Sequence, residues 1–205
     1  MNQFFHIASR PVGSEKPTKW EVGTVLRTGE FHFNSYFQSV LNYHHVLPVG
    51  KTPFPVLAAL RFGFVAAFTG QDVATQCAEI IETHFKVIRE FEFEAIRRAE
   101  FPGLPSRMRC VWMSEVIQVE HWSTRLDGRE NPILLRVAAE GKIHRAHEGH
   151  LSVEVQSIDD LRDSARAYWS GKPHESGNYE VLLEGEMKVL EILPFPTASS
   201  VGNAS

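Results

Sequence analysis

Between Asp72 and Glu100 the residues Val73, Cys77, Ile80, Ile81, Phe85, Ile88 and Phe91 recur at three-and-four spacing, with Glu79, Glu82, Lys86 and Arg89 off that stripe. The pattern predicts one long helix. Asp72, behind Gly70-Gln71, is the expected N-cap, and Pro102-Gly103-Leu104-Pro105 ends the helix decisively. An amphipathic helix of this length must lay its stripe against another layer. The strand patterns that can supply that layer fall mostly downstream, over 108–113, 133–138, 151–155, 179–183 and 187–193. The last two are expected to be joined by a turn around Glu184-Gly185-Glu186. Upstream, 3–8 reads as a strand and 20–26 as a short second one. Further helices are expected over 56–68, 114–126 and 158–169, the last opened by Ser157 with Asp160 three residues on, a variant capping box.

Helices thus concentrate in the first two thirds and strands in the last third, without strand–helix alternation. That is α+β rather than a doubly wound parallel sheet. One domain is expected over 1–193, followed by a small, polar, disordered tail over 194–205.

Of 205 residues, 43% are hydrophobic and 22% charged, enough for one sizeable core. The net charge of -4 lacks the basic excess of a stable nucleic-acid binder, although a local patch can persist under a negative total. The two cysteines, Cys77 and Cys110, are too few for a disulfide framework and read as buried thiols. Met1-Asn2-Gln3-Phe4-Phe5-His6 has no signal-peptide pattern, and the apolar run 54–68 is too short to span a bilayer. A cytosolic protein without membrane contact is the expectation.

His144, His147 and His150, spaced three apart, draw the eye as metal ligands. Three such residues spread around a helix, Gly149 argues for a loop, and no carboxylate or thiolate partner stands at recognisable spacing. No metal is expected. Neither a phosphate-cradling Gly-rich loop nor a Gly-x-Ser-x-Gly elbow is present.

Three segments stand out together. His6 interrupts the apolar strand Phe4-Phe5-His6-Ile7-Ala8 ahead of Ser9-Arg10. Pro105-Ser106-Arg107 stands at the entrance to the strand over 108–113. Glu180 places a carboxylate at the start of Tyr179-Glu180-Val181-Leu182-Leu183. A strand carboxylate is costly to bury unless it is paired. Each also has a plain reading: a satisfied core histidine, a helix-to-strand connection, and a solvent-facing edge residue. The alternation of Glu180, Leu182 and Glu184 leaves open which face is wet.

An early strand ending Phe5-His6-Ile7, and a late one running Tyr179-Glu180-Val181-Leu182-Leu183-Glu184-Gly185 and on to Val189, resemble motifs of the ADP-ribosyltransferase superfamily, particularly the DarT-type enzymes. Pro105-Ser106-Arg107 and Tyr168-Trp169-Ser170-Gly171 are similar to the bacterial DUF2441 group, along much of the chain, and that group brings no activity with it. The first resemblance implies a split β-sheet core and NAD as substrate. It implies Glu180 and His6 as catalytic groups, with His6 holding the nicotinamide-ribose through a ring N–H. Glu180 would hydrogen-bond the 2′-hydroxyl, stabilise an oxocarbenium-like state and serve as base toward an acceptor. Arg10 or Arg107 would pair with the pyrophosphate, Tyr36 would stack on nicotinamide, and Ser9 and Ser106 would complete the NAD site. The superfamily's middle motif falls at Ser106, at Trp112 or at an aromatic nearer Tyr36.

The implied acceptor is a nucleic acid or a protein, and the implied setting is a bacterial toxin or phage-defence effector with an antitoxin partner or a homodimer. The competing reading is a non-catalytic interaction protein that uses the stripe of the long helix. A third is an RNA 2′-phosphotransferase served by Arg10, Arg107 and Arg109. His6 and Glu180 facing one cleft favours an enzyme; opposite faces favour the binding module.

Overall fold

A computed structural model of the chain describes residues 3–9, 20–29, 34–41, 46–49, 52–61, 69–126, 128–152, 154, 156–175 and 177–196. Two long strands organise it, β6 (Pro132–His147) and β7 (Tyr179–Leu193), paired antiparallel along nearly their whole length. β1 (Gln3–Ser9) pairs with the outer edge of β6, from Gln3 opposite Ala138 to Ser9 opposite Pro132. The other edge of β7 is shared by two short strands, β2 (Val25–Arg27) opposite 186–188 and β5 (Val111–Met113) opposite 181–183. The sheet is antiparallel throughout, and a separate ribbon is formed by β3 (Val46–Val49) and β4 (Thr52–Pro55).

The helices are α1 (Ser35–Leu41), α2 (Val56–Arg61), α3 (Gly70–Glu100), α4 (Val119–Arg125) and α5 (Ile158–Trp169). The long helix forms, starting at Gly70 ahead of the expected cap Asp72, but its buried face is not the expected stripe: Ile81, Ile88 and Phe91 are exposed, whereas Arg89, Glu90, Phe93 and Ile96 are buried. Its C-terminal half packs with α5 over the centre of the sheet. Phe85, Phe93 and Ile96 meet Leu161, Ala165, Tyr168 and Trp169 there, above Ala146 and Leu182. The Trp169 indole fixes the pair by donating to the Phe93 carbonyl at 2.8 Å. On the other sheet face Phe4, Ala8, Leu135, Val137, Val181, Leu183, Met187 and Val189 form the second core. β7 is therefore covered on both faces, which explains why its first residues read as a continuous apolar run rather than an alternation. The capping box holds: Asp160 N–H donates to Ser157 Oγ at 3.1 Å, and Ser157 Oγ donates to Asp160 Oδ2 at 2.6 Å.

Several boundaries differ from expectation. The segment over 179–193 is one strand with no turn at Glu184-Gly185-Glu186. Gly185 instead lies opposite Gly141, where the two strands cross closely. A Cβ on Gly185 would stand 2.3 Å from the Glu140 carbonyl oxygen, and one on Gly141 2.6 Å from that of Glu184. Glycine here permits close backbone approach, so a glycine pair that reads as a turn is a strand crossing. Gly185→Ala should accordingly cost about 3 kcal/mol in urea unfolding, because a backbone oxygen cannot swing aside as a side chain can. A loss near zero would show that the strands can part without penalty.

β6 likewise runs on to His147, so His144 and His147 belong to a strand and only His150 to the 3₁₀ turn Glu148–His150 that follows. The strand expected over 108–113 is reduced to β5, because Asn34 and Ser106 hold the residues before it in turns. The segment over 114–126 divides into a 3₁₀ turn, Val116–Gln118, and α4. No strand forms at Leu151 and Ser152, while Val153 and Val155 lie outside the described residues. Also outside them are 62–68 of the expected buried helix and 197–205 of the expected tail. No helix among the described residues is long and apolar enough to cross a membrane.

Candidate functional site

β1 and β5 reach the sheet from opposite sides, one through β6 and the other through β7. Between them stands a single bridge, in which Phe5 and Ser114 exchange backbone hydrogen bonds of 2.9 and 2.7 Å. A cavity of about 990 Å³ opens along this parting. It is lined by Phe5 to Ser9 on one side, by Cys110 to Ser114 on the other, and by Trp20, Tyr36 and Trp122. His6 and Glu180, from opposite ends of the chain, both line it, but from opposite faces of the sheet: His6 stands opposite Leu135 on the face of Phe4 and Ala8, and Glu180 opposite Ala146 on the face covered by α3 and α5.

Glu180 lies on the sheet face covered by α3 and α5, and it is 5% exposed. Its Oε1 accepts from the Tyr168 hydroxyl at the end of α5 and from Arg107 Nη1. Arg107 Nη1 also donates to the Tyr168 oxygen at 2.5 Å, and Nε donates to Glu90 Oε2 at 2.9 Å. Arg89 supplies a second cation to Glu90, at 3.0 Å. Two buried carboxylates are thereby matched by two buried guanidiniums, the arrangement that makes interior charge tolerable. Burial alone would raise the Glu90 carboxyl, but Arg107 and Arg89 hold it below its usual range. Burial works against the charge on Arg107 too, yet Glu180 and Glu90 lift its pKa well above the ordinary value. Burial pushes the Tyr168 phenol well up, so it stays a donor at neutral pH. With Oε1 spent on this clamp, Oε2 has no protein partner among the described residues, and Glu180 is one of the residues lining the cavity.

The clamp depends on the turn after α3. Ser106 N–H donates to Glu184 Oε2 at 2.9 Å, Ser106 Oγ donates to Glu94 Oε2 at 2.9 Å, and Asn34 Nδ2 donates to the Arg107 carbonyl at 2.5 Å. The loop is fixed on three sides, and Arg107 projects inward.

His6 Nδ1 donates to the Trp112 carbonyl at 2.7 Å, so β5 fixes its tautomer and Nε2 carries the lone pair. Burial lowers its pKa to about 4, with Arg129 adding to the effect and the Trp112 hydrogen bond opposing it. His6 is therefore neutral at pH 7, and toward a ligand it accepts a hydrogen bond rather than donating the one expected. A histidine depressed in the folded state contributes stability that is complete above its unfolded pKa of 6.5 and is lost as pH falls through 4. Urea melts at pH 7 and pH 4.5 should therefore show a smaller loss for His6→Gln than for the wild type. Equal losses would place the acid sensitivity elsewhere.

Of the other expected site residues, Ser9, Tyr36 and Arg107 line the cavity. Tyr36 meets the Trp112 ring edge-on, centroids 5.8 Å apart. Arg107 is spent on Glu90, Glu180 and Tyr168 and has no fork left for a pyrophosphate. Ser106 is 1% exposed, lies off the cavity and pins the loop, and Arg10 lies outside the described residues. Sequence reasoning missed Glu90, Tyr168 and Arg129. The available signal was Tyr168, inside a segment already singled out. Glu90 gave none, since a helical Glu beside Arg89 reads as surface.

His144 packs against Trp169 and donates from Nε2 to the Tyr168 carbonyl at 3.2 Å. His147 and His150 face His174 with ring centroids 5.9 and 5.0 Å away. Among the described residues no three His, Cys, Asp or Glu side chains converge to hold a metal ion.

A family model described as "Protein of unknown function (DUF2441)" matches residues 4–194. The chain belongs to that family. The matched span runs from β1 past the end of β7, so this DUF2441 domain includes both His6 and Glu180 together with the clamp. No curated protein matches the chain.

Proposed function

We propose that this protein is an NAD-dependent mono-ADP-ribosyltransferase whose active site is the cavity between β1 and β5. The observation that carries the reading is that His6 and Glu180 both line that cavity, reaching it from the two faces of the sheet, with one glutamate oxygen clamped and the other unpartnered among the described residues. The cavity volume is at the upper end of the roughly 300–1,000 Å³ usual for small-molecule sites, room enough for a dinucleotide. Aromatic walls suit flat rings, and an imidazole acceptor and a carboxylate lining one cavity suit ribose hydroxyls.

In this reading His6 Nε2 accepts from a ribose hydroxyl and Glu180 Oε2 accepts from the 2′-hydroxyl. The bond from nicotinamide to C1′ breaks with its electron pair leaving on nicotinamide, and the fixed negative charge of Glu180 stabilises the oxocarbenium-like state. The acceptor's nucleophile bonds to C1′, and its proton passes to Glu180 Oε2. The acceptor class, nucleic acid or protein, and a toxin or defence role follow from the resemblance alone.

A second reading, a non-catalytic interaction module, draws on Ile81 and Ile88. They stand seven residues apart on one side of α3 and are 55% and 44% exposed. Calorimetric titration of NAD into the wild type, His6→Ala and Glu180→Ala decides between them. Micromolar-to-millimolar binding that His6→Ala weakens at least tenfold supports the transferase. No binding at millimolar NAD gives precedence to the interaction module.

A further inference from the structure

The charged groups on the cavity wall do not balance. Lys86 pairs with Glu82 at 2.7 Å, Arg89 and Arg107 share Glu90, Arg107 also takes Glu180, and Arg125 reaches Glu148 at 3.7 Å. Arg129 is left over. Among the described residues no carboxylate lies within ion-pair reach of it; the residue is exposed at the cavity mouth, and partial desolvation lowers its pKa with no acidic group to offset the effect. The guanidinium is nevertheless held in place, because Nη1 donates to the carbonyl of Ile7, the residue after His6, at 3.0 Å. Nε and Nη2, the edge that grips two oxygens at once, have no acceptor among the described residues. A cavity with a surplus cation, in a chain of net charge -4, has been given a local polarity opposite to the protein as a whole.

We propose that Arg129 is the phosphate-binding residue of this cavity, gripping a phosphate or diphosphate group of the ligand through its Nε–Nη2 edge beside His6. For the rest of the ligand the assignment rests on the transferase reading. It places the pyrophosphate on Arg129 rather than on Arg10 or Arg107, and so sets the direction in which a dinucleotide lies. The phosphates stand at the Ile7 end of β1, His6 lies next along the strand, and the sugar to be transferred extends toward Glu180. Arg125, four residues earlier and only loosely tied to Glu148, is near enough in sequence to assist.

The test uses the full-length protein, with ADP-ribose, adenosine and inorganic pyrophosphate titrated by calorimetry into the wild type, Arg129→Met and Arg129→Lys. ADP-ribose should bind the wild type, lose about tenfold to a hundredfold in Arg129→Met, and recover in part in Arg129→Lys. Adenosine should bind both variants as it binds the wild type. Unchanged ADP-ribose affinity in Arg129→Met overturns the assignment and leaves the transferase reading intact. Pyrophosphate binding that depends on Arg129, in a protein that ignores ADP-ribose, upholds the anion site and removes the transferase reading. Equal loss of adenosine affinity in Arg129→Met also overturns the assignment, since the residue would then be shaping the cavity rather than holding phosphate.

Discussion

Arg107→Met should remove about 3–5 kcal/mol of folding stability, the usual cost of leaving a buried carboxylate without its cation. Arg107 is 5% exposed and stands between Glu90 and Glu180, 2% and 5% exposed, with the Tyr168 hydroxyl against the same guanidinium. Glu90 keeps Arg89 after the substitution, but Glu180 keeps only the Tyr168 hydrogen bond. The orphaned charge at Glu180 is therefore the main penalty. Urea unfolding of wild type, Arg107→Met, Glu180→Gln and the double variant separates that penalty from lost packing. Removing the Glu180 charge from Arg107→Met should return a sizeable part of the loss, which appears as coupling in the cycle. Simple additivity would mean that Arg107 acts by filling space and that the ion pair contributes little.

The cycle also bears on why so much of the site was hidden in the sequence while much of the fold was not. α3, α5 and the central strand over 133–138 were legible because each is declared by local pattern: a three-and-four stripe, a capping box, a run of β-formers. His6 and Glu180 were legible because a polar residue in an apolar strand is locally anomalous. Glu90 and Arg107 are anomalies only in three dimensions, where they meet across 17 positions of sequence. Each sits in a stretch where a charge is ordinary, and nothing local distinguishes a buried helical Glu from the solvated Glu82 a few residues earlier. Gly185 misled for a related reason. Its meaning depends on Gly141 across the strand pair, a partner that sequence proximity cannot supply. Arg129 is the same case once more: what marks it is that no carboxylate among the described residues pairs with it, and pairing is a property of the fold.

On the proposed transferase reading, Glu180→Gln is the substitution with the largest expected effect on activity, a fall of about 10²–10³ in transfer rate. The amide keeps the size and shape of the side chain, and its oxygen can still accept from Tyr168 and Arg107 in the clamped position. The amide nitrogen then occupies the place of Oε2. It carries no negative charge toward a developing cation and cannot take up an acceptor's proton. Ground-state binding depends little on that charge, so NAD affinity should stay within a few-fold of wild type while nicotinamide release in the presence of acceptor collapses. That split is the informative part. Equal losses in affinity and rate would make Glu180 a binding residue, and full activity would remove it from the chemistry. Tyr168→Phe gives the complementary reading. It deletes one of the two donors that hold Oε1, so the carboxylate can rotate while its charge remains. A smaller rate loss, about tenfold, is expected, with unchanged NAD affinity. The ordering of the two variants distinguishes a carboxylate that acts by its charge, with the clamp aiming it, from a buried ion pair that only holds β7 against α5.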